Sequence, residues 1–141
     1  MKTGIVSSIS LAAVFLLACG TTIGCGTDEK LYGHWEGNRG WKNLGVEDEA
    51  AARGLAAISL DLKADGTFVA TDFGIPFEGN WVQTGSGVDL RVLTILKRSI
   101  EIQPDTVKKQ AVFTVRYAEG KLFFKNATDS GEFELTKQAK R

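Results

Sequence analysis

The stretch Ile58-Ser59-Leu60-Asp61-Leu62-Lys63-Ala64-Asp65-Gly66-Thr67-Phe68 decides the fold. Ile58, Leu60 and Leu62 alternate with Ser59, Asp61 and Lys63. Side chains on a strand point to opposite faces in turn, so this strand has one apolar face and one wet face. Asp65-Gly66 then reverses the chain as a two-residue hairpin turn, because both residue types tolerate positive φ. Thr67-Phe68 opens the returning strand. A hairpin with a single apolar face needs further strands or a packing partner to be stable in water.

Further strands lie on both sides of this hairpin. Ala111, Phe113, Val115 and Tyr117 alternate with Val112, Thr114 and Arg116, and Phe133 and Leu135 alternate with Glu132, Glu134 and Thr136. Turn signals fall between the runs at Thr84-Gly85-Ser86-Gly87, Ala118-Glu119-Gly120 and, more loosely, 126–131. The pattern predicts strands at 31–37, 57–63, 67–73, 78–83, 88–96, 110–117, 121–125 and 132–137. That is an all-β chain, an antiparallel meander of about eight strands. An open meander leaves two exposed edges and closure into a barrel removes them, so a small closed barrel is expected. Eight strands enclose a space that side chains fill or that holds one small ligand.

Two places break the alternation. Val88, Leu90 and Val92 share one parity while Leu93 and Ile95 take the other, which predicts a β-bulge or a sharp bend. Ile100 and Ile102 extend the same strand until Pro104 stops it. The second break is 44–55, where Glu47, Asp48 and Glu49 precede Ala50-Ala51-Ala52, Arg53 and Gly54. Acids early, Arg late and a final Gly suit one short helix near 46–53, laid across an end of the barrel with Leu44, Ala51, Ala52 and Leu55 on one face. A loop is the alternative.

The N-terminus reads as an export segment. Lys2 precedes an apolar run that ends in Leu16-Leu17-Ala18-Cys19. The run falls short of the roughly 20 apolar residues that span a bilayer and matches a cleaved signal, residues 1–18. The LLAC string resembles the bacterial lipobox, which implies that Cys19 is lipidated and becomes the mature N-terminus. Cys25 is the alternative, although Thr22 stands where the motif has Leu. A plain signal with a disulfide between the two cysteines is a third possibility in an oxidising compartment. Residues 19–30 read as a lipidated flexible tether, 31–137 as the barrel domain and 138–141 as a basic tail. Gly20 favours the outer membrane if the host is Gram-negative. Cleavage removes one of the 17 basic residues and none of the 17 acidic ones, leaving a net charge of −1. Near-neutrality argues against nucleic acid as a partner.

Gly-x-Trp occurs twice, as Gly33-His34-Trp35 and Gly79-Asn80-Trp81. The first opens the first strand and resembles the Gly-x-Trp signature of lipocalins. Together with LDLKADGTF at 60–68, GKLFF at 120–124 and FEL at 133–135, the span 31–137 resembles small bacterial lipocalin-like lipoprotein domains. The resemblance implies a ligand-binding barrel. Where lipocalins carry an Arg on the last strand against the first Trp, this chain has Lys137. In physical terms each Gly permits close chain approach, and each indole closes a barrel end. Trp41, in a loop rich in Gly and Asn, is expected at the rim.

Chemistry-bearing residues are sparse. His34 is the single histidine, alternating with Trp35, so it is expected outward beside Tyr32 and Glu36 as a solvated imidazole. Two ligands make no metal site. No Ser stands in a nucleophile elbow, and Asp61, Asp72 and Glu78 are expected as solvated charges. No catalytic residue, metal or cofactor is assigned. Candidate pocket residues are Trp35, Phe68, Phe73, Phe77, Trp81, Phe113, Tyr117 and Phe124, with Phe73-Gly74-Ile75-Pro76-Phe77 either sealing the barrel end or forming an apolar portal. The expected function is a membrane-anchored envelope lipoprotein binding a small apolar or amphiphilic ligand. The alternative is a structural or interaction protein of the envelope, with a packed barrel, no ligand and an unidentified protein partner.

Overall fold

A computed structural model describes residues 27–140. The export segment, Cys19 and Cys25 lie outside the described residues. Nine strands form, β1 (Gly33–Asn38), β2 (Ala57–Leu62), β3 (Thr67–Asp72), β4 (Ile75–Gln83), β5 (Gly87–Ile95), β6 (Arg98–Ser99), β7 (Phe113–Ala118), β8 (Lys121–Asn126) and β9 (Phe133–Lys137). Two helices are described, α1 (Glu49–Ala56) and α2 (Asp105–Gln110). Consecutive strands pair antiparallel, with β7 following β5, and β9 returns to β1 at Trp35↔Lys137 and Gly37↔Leu135. The eight long strands therefore close into an antiparallel barrel, with two-residue β6 added on β5.

Turn chemistry sets the registers. Phe73-Gly74, Leu96-Lys97 and Glu119-Gly120 each join two strands through two residues of positive φ. This handedness matches the twist of the flanking strands. The Asp65-Gly66 turn is longer than its dipeptide predicts. Residues 63–66 form the loop, the Gly66 N–H donates to Lys63 O, and only Gly66 takes positive φ. Asp65 instead accepts from the Thr67 N–H and hydroxyl.

The bulge is present. Glu78 faces Thr94 but Gly79 faces Val92, which leaves Leu93 as the extra residue. Val88, Leu90, Val92 and Ile95 thereby all reach the inner face, opposite Phe77, Gly79 and Trp81. Gly79 is required there, since a Cβ would sit 1.9 Å from Arg91 O.

Several boundaries differ from expectation, and β4 begins at Ile75 rather than 78 because Ile75 and Pro76 already pair with Asp72 and Thr71. The short helix runs Glu49–Ala56 rather than 46–53, because Asp48 caps it by accepting from the Ala51 N–H at 3.0 Å. Gly54 lies inside it, and the helix ends where Ala57 enters the ladder opposite Asn38. The expected continuation of β5 through Ile102 is replaced by the Leu96-Lys97 turn, β6 and a 3-10 turn, Ile100–Ile102. Pro104 then starts α2 instead of only ending a strand, with Asp105 in the first turn and Lys108 and Lys109 in the last. β7 accordingly begins at Phe113 rather than 110.

The barrel interior is filled by its own side chains. Trp35, Phe68, Phe124, Leu60, Leu122 and Leu135 are among nine large side chains with under 2% of their surface exposed. A void able to hold a water would expose its lining, so the space around these residues is dry and packed. Burial weakens toward one side. The pairing of β5 with β7 is limited to Gly87↔Arg116 and Val88↔Val115, and no ladder pair follows beyond it. Segment 96–112 covers that seam, with Ile100 and Val107 packed against the core.

Candidate functional site

Seven of the eight predicted pocket residues turn inward. Phe77 and Phe113 meet edge to face at 5.0 Å, Phe113 and Phe124 lie at 5.1 Å, and Trp35 meets Tyr117 at 6.4 Å. Phe68 and Trp81 complete the set. These rings pack on one another, so they form the core rather than the wall of an empty cavity. Both Gly-x-Trp indoles are anchored alike, with Trp35 Nε1 donating to Leu31 O at 3.0 Å and Trp81 Nε1 to Lys63 O at 2.9 Å. Lys137 does what the sequence left open. Its Nζ lies 5.6 Å from the Trp35 ring centre and donates to Lys30 O at 2.9 Å. Trp41 is half-buried in a 3-10 turn at the helical end, with the Arg53 guanidinium 5.0 Å over its ring.

Phe73 departs from the set. It sits at positive φ on the β3–β4 turn, partly exposed, with the Arg39 guanidinium 3.8 Å from its ring centre and 5.0 Å from that of Phe133. Arg39 is itself buried and pairs with Asp72 and, at 3.3 Å, with Asp129. Asn126 donates to Asp72 at 2.7 Å. The expectation of a solvated Asp72 is therefore wrong, since only 2% of it is exposed. Its parity was the available signal, because Phe68, Ala70 and Asp72 share the inner face of β3. Asn126 likewise follows Leu122 and Phe124 on β8. Burial pushes the Asp72 carboxyl up, against the pull of Asn126 and Arg39. Arg39 Nε is buried without a partner. This cluster plugs the barrel end that carries α1.

His34 faces outward on β1 as predicted, but it is clamped. Nδ1 lies 2.7 Å from Asp61 on β2, and Nε2 lies 2.8 Å from Glu36. Both partners are acceptors, so the ring satisfies both only as imidazolium. The Glu36 and Asp61 hydrogen bonds raise its pKa above 6.5 despite some burial. An imidazolium with both N–H groups engaged has no lone pair for a metal or for general-base work. Glu78 accepts from the Thr94 hydroxyl at 3.2 Å.

Two clefts lie on the outside. One, about 1000 Å³, runs between Tyr32, His34, Glu36 and the tail residues Lys137 to Lys140. The other, about 390 Å³, lies on the outer face of β3, β4 and β5 around Val69, Gly79 and Leu93. Comparison of the chain with protein-family models, curated proteins and solved structures finds no match.

Proposed function

We propose that this protein is an exported, lipid-anchored envelope protein whose lipocalin-like barrel is a packed scaffold that acts through its outer surface. The filled interior is the observation that supports this reading over a ligand carrier. Nine large apolar side chains show under 2% of their surface, and the aromatic rings occupy the space a ligand would take. Lipidation at Cys19, with Cys25 as the alternative, supplies the anchor, and an outer-membrane address follows for a Gram-negative host. No catalytic role is assigned, because His34 is held on both nitrogens by carboxylates.

A second reading, a carrier of a small apolar molecule, has one observation in its favour. Leu90 and Val92 face inward yet stay half-exposed at the β5–β7 seam, where an apolar chain would enter. Mass spectrometry of organic extracts from the purified folded protein separates the two readings. The packed scaffold yields no stoichiometric small molecule, and titration with fatty acid leaves the emission of buried Trp35 and Trp81 unchanged. A stoichiometric lipid other than the N-terminal acyl chains overturns it. Intact mass of the exported chain tests the anchor.

A further inference from the structure

Exposed large apolar side chains gather on one wall. Of seven, five lie on β4, β5 or segment 96–112, namely Val82, Leu93, Leu96, Ile102 and Val112. Leu96 is 60% exposed, Ile102 74% and Val112 59%. Charge gathers there too. Residues 91–112 hold five basic and two acidic residues, net +3, while the remaining described residues hold ten basic and fifteen acidic, net −5. Among the described residues, Lys108 is the one cation of the five with a carboxylate partner, Asp105 at 3.9 Å. Arg91, Lys97, Arg98 and Lys109 project into solvent. Of the acids on this side, Glu78 is held by Thr94, Asp105 faces Lys108, and Asp89 and Glu101 remain exposed.

The hairpin tip carries an independent sign of use. Leu96 and Lys97 occupy φ of 51° and 62°. Asn-Gly takes this turn without the steric penalty that a branched or long side chain meets. Strain kept at an exposed tip points to function. We propose that the β4–β5 wall and segment 96–112 dock on an anionic lipid bilayer, with Leu96 and Ile102 entering the headgroup layer and Lys97, Arg98 and Lys109 meeting lipid phosphates. Apolar tips ringed by cations match that surface. The chain emerges at the far end of this wall from the Leu96-Lys97 turn, as the Asp28 N–H donates to Gln83 Oε1 at 2.6 Å and Gln83 pairs with Val88 at the start of β5. A barrel lying on the wall leaves the eight residues 20–27 to reach the bilayer at up to about 3.5 Å each.

The inference rests on the anchored-scaffold reading, and one experiment tells the two apart. The mature full chain is reconstituted on phosphatidylcholine vesicles and on phosphatidylcholine–phosphatidylglycerol vesicles, then followed by flotation and amide hydrogen exchange. The expected result is flotation with both, with exchange in 96–102 slowed several-fold on the mixed vesicles alone and restored by salt. The Leu96→Asn/Lys97→Gly double variant should melt higher than wild type yet lose that protection, which excludes misfolding as the cause. Equal exchange on both vesicles overturns the docking. So does protection that rises with protein density on both, which marks a second copy as the occupant. Flotation with the mixed vesicles alone removes the anchor and leaves the docking standing. Flotation with neither removes both.

Discussion

At the scale of single residues, partners decide what a charge does. Asp72 and Asp61 have the same chemistry and opposite fates. Asp72 is sealed with Arg39, Asn126 and Asp129 under two aromatic rings, whereas Asp61 is 40% exposed and braces His34 across β1 and β2. The His34 brace has a defined pH dependence. Hydrogen bonds from its ring to Glu36 and Asp61 raise its folded pKa above the unfolded value near 6.5. Stability from the brace is therefore complete below that value and is lost as pH rises through the folded pKa. The melting temperature should fall over that window, and His34→Gln should remove the slope. Thermal melts of both proteins across neutral and mildly alkaline pH check this. An unchanged slope in the variant would assign the pH dependence to another group.

At the scale of elements, backbone approach sets what side chains are allowed. The β5 bulge brings Arg91 O against Gly79, which makes the second Gly-x-Trp glycine a steric requirement. Gly79→Ala should cost about 2–3 kcal/mol by overpacking. Gly85→Ala meets nothing within 4 Å and should stay near wild type. Urea unfolding of the two variants makes the comparison. Gly87 has a matching role at the β5–β7 crossing, where a Cβ would sit 2.1 Å from Val115 O. The strand pattern and the bulge were legible because inward parity repeats along each run. The helix bounds were not, because an acid before a helix and an acid inside its first turn look alike until the cap bond forms.

At the scale of the whole molecule, the barrel has a firm side and a soft one. Strands β1, β2, β8 and β9 have ladder partners on both sides over at least three residues and carry the most deeply buried side chains, while residues 89–93 of β5 lack a ladder partner on the β7 side. Amides of the firm side should exchange near the global unfolding limit, and amides of 89–93 directed at the seam much faster, by native-state hydrogen exchange. Uniform protection around the barrel would contradict this asymmetry. The sequence by itself determined an all-β antiparallel barrel, its strand order and most of its core, because alternation and turn residues act over a few positions. Only the tertiary structure decided that the interior is filled, that Asp72 is buried and that the β5–β7 ladder stops beneath segment 96–112. Those outcomes depend on which residues from distant strands share a layer, on volumes that must sum to close packing, and on partners such as Arg39 and Asp129, 90 positions apart.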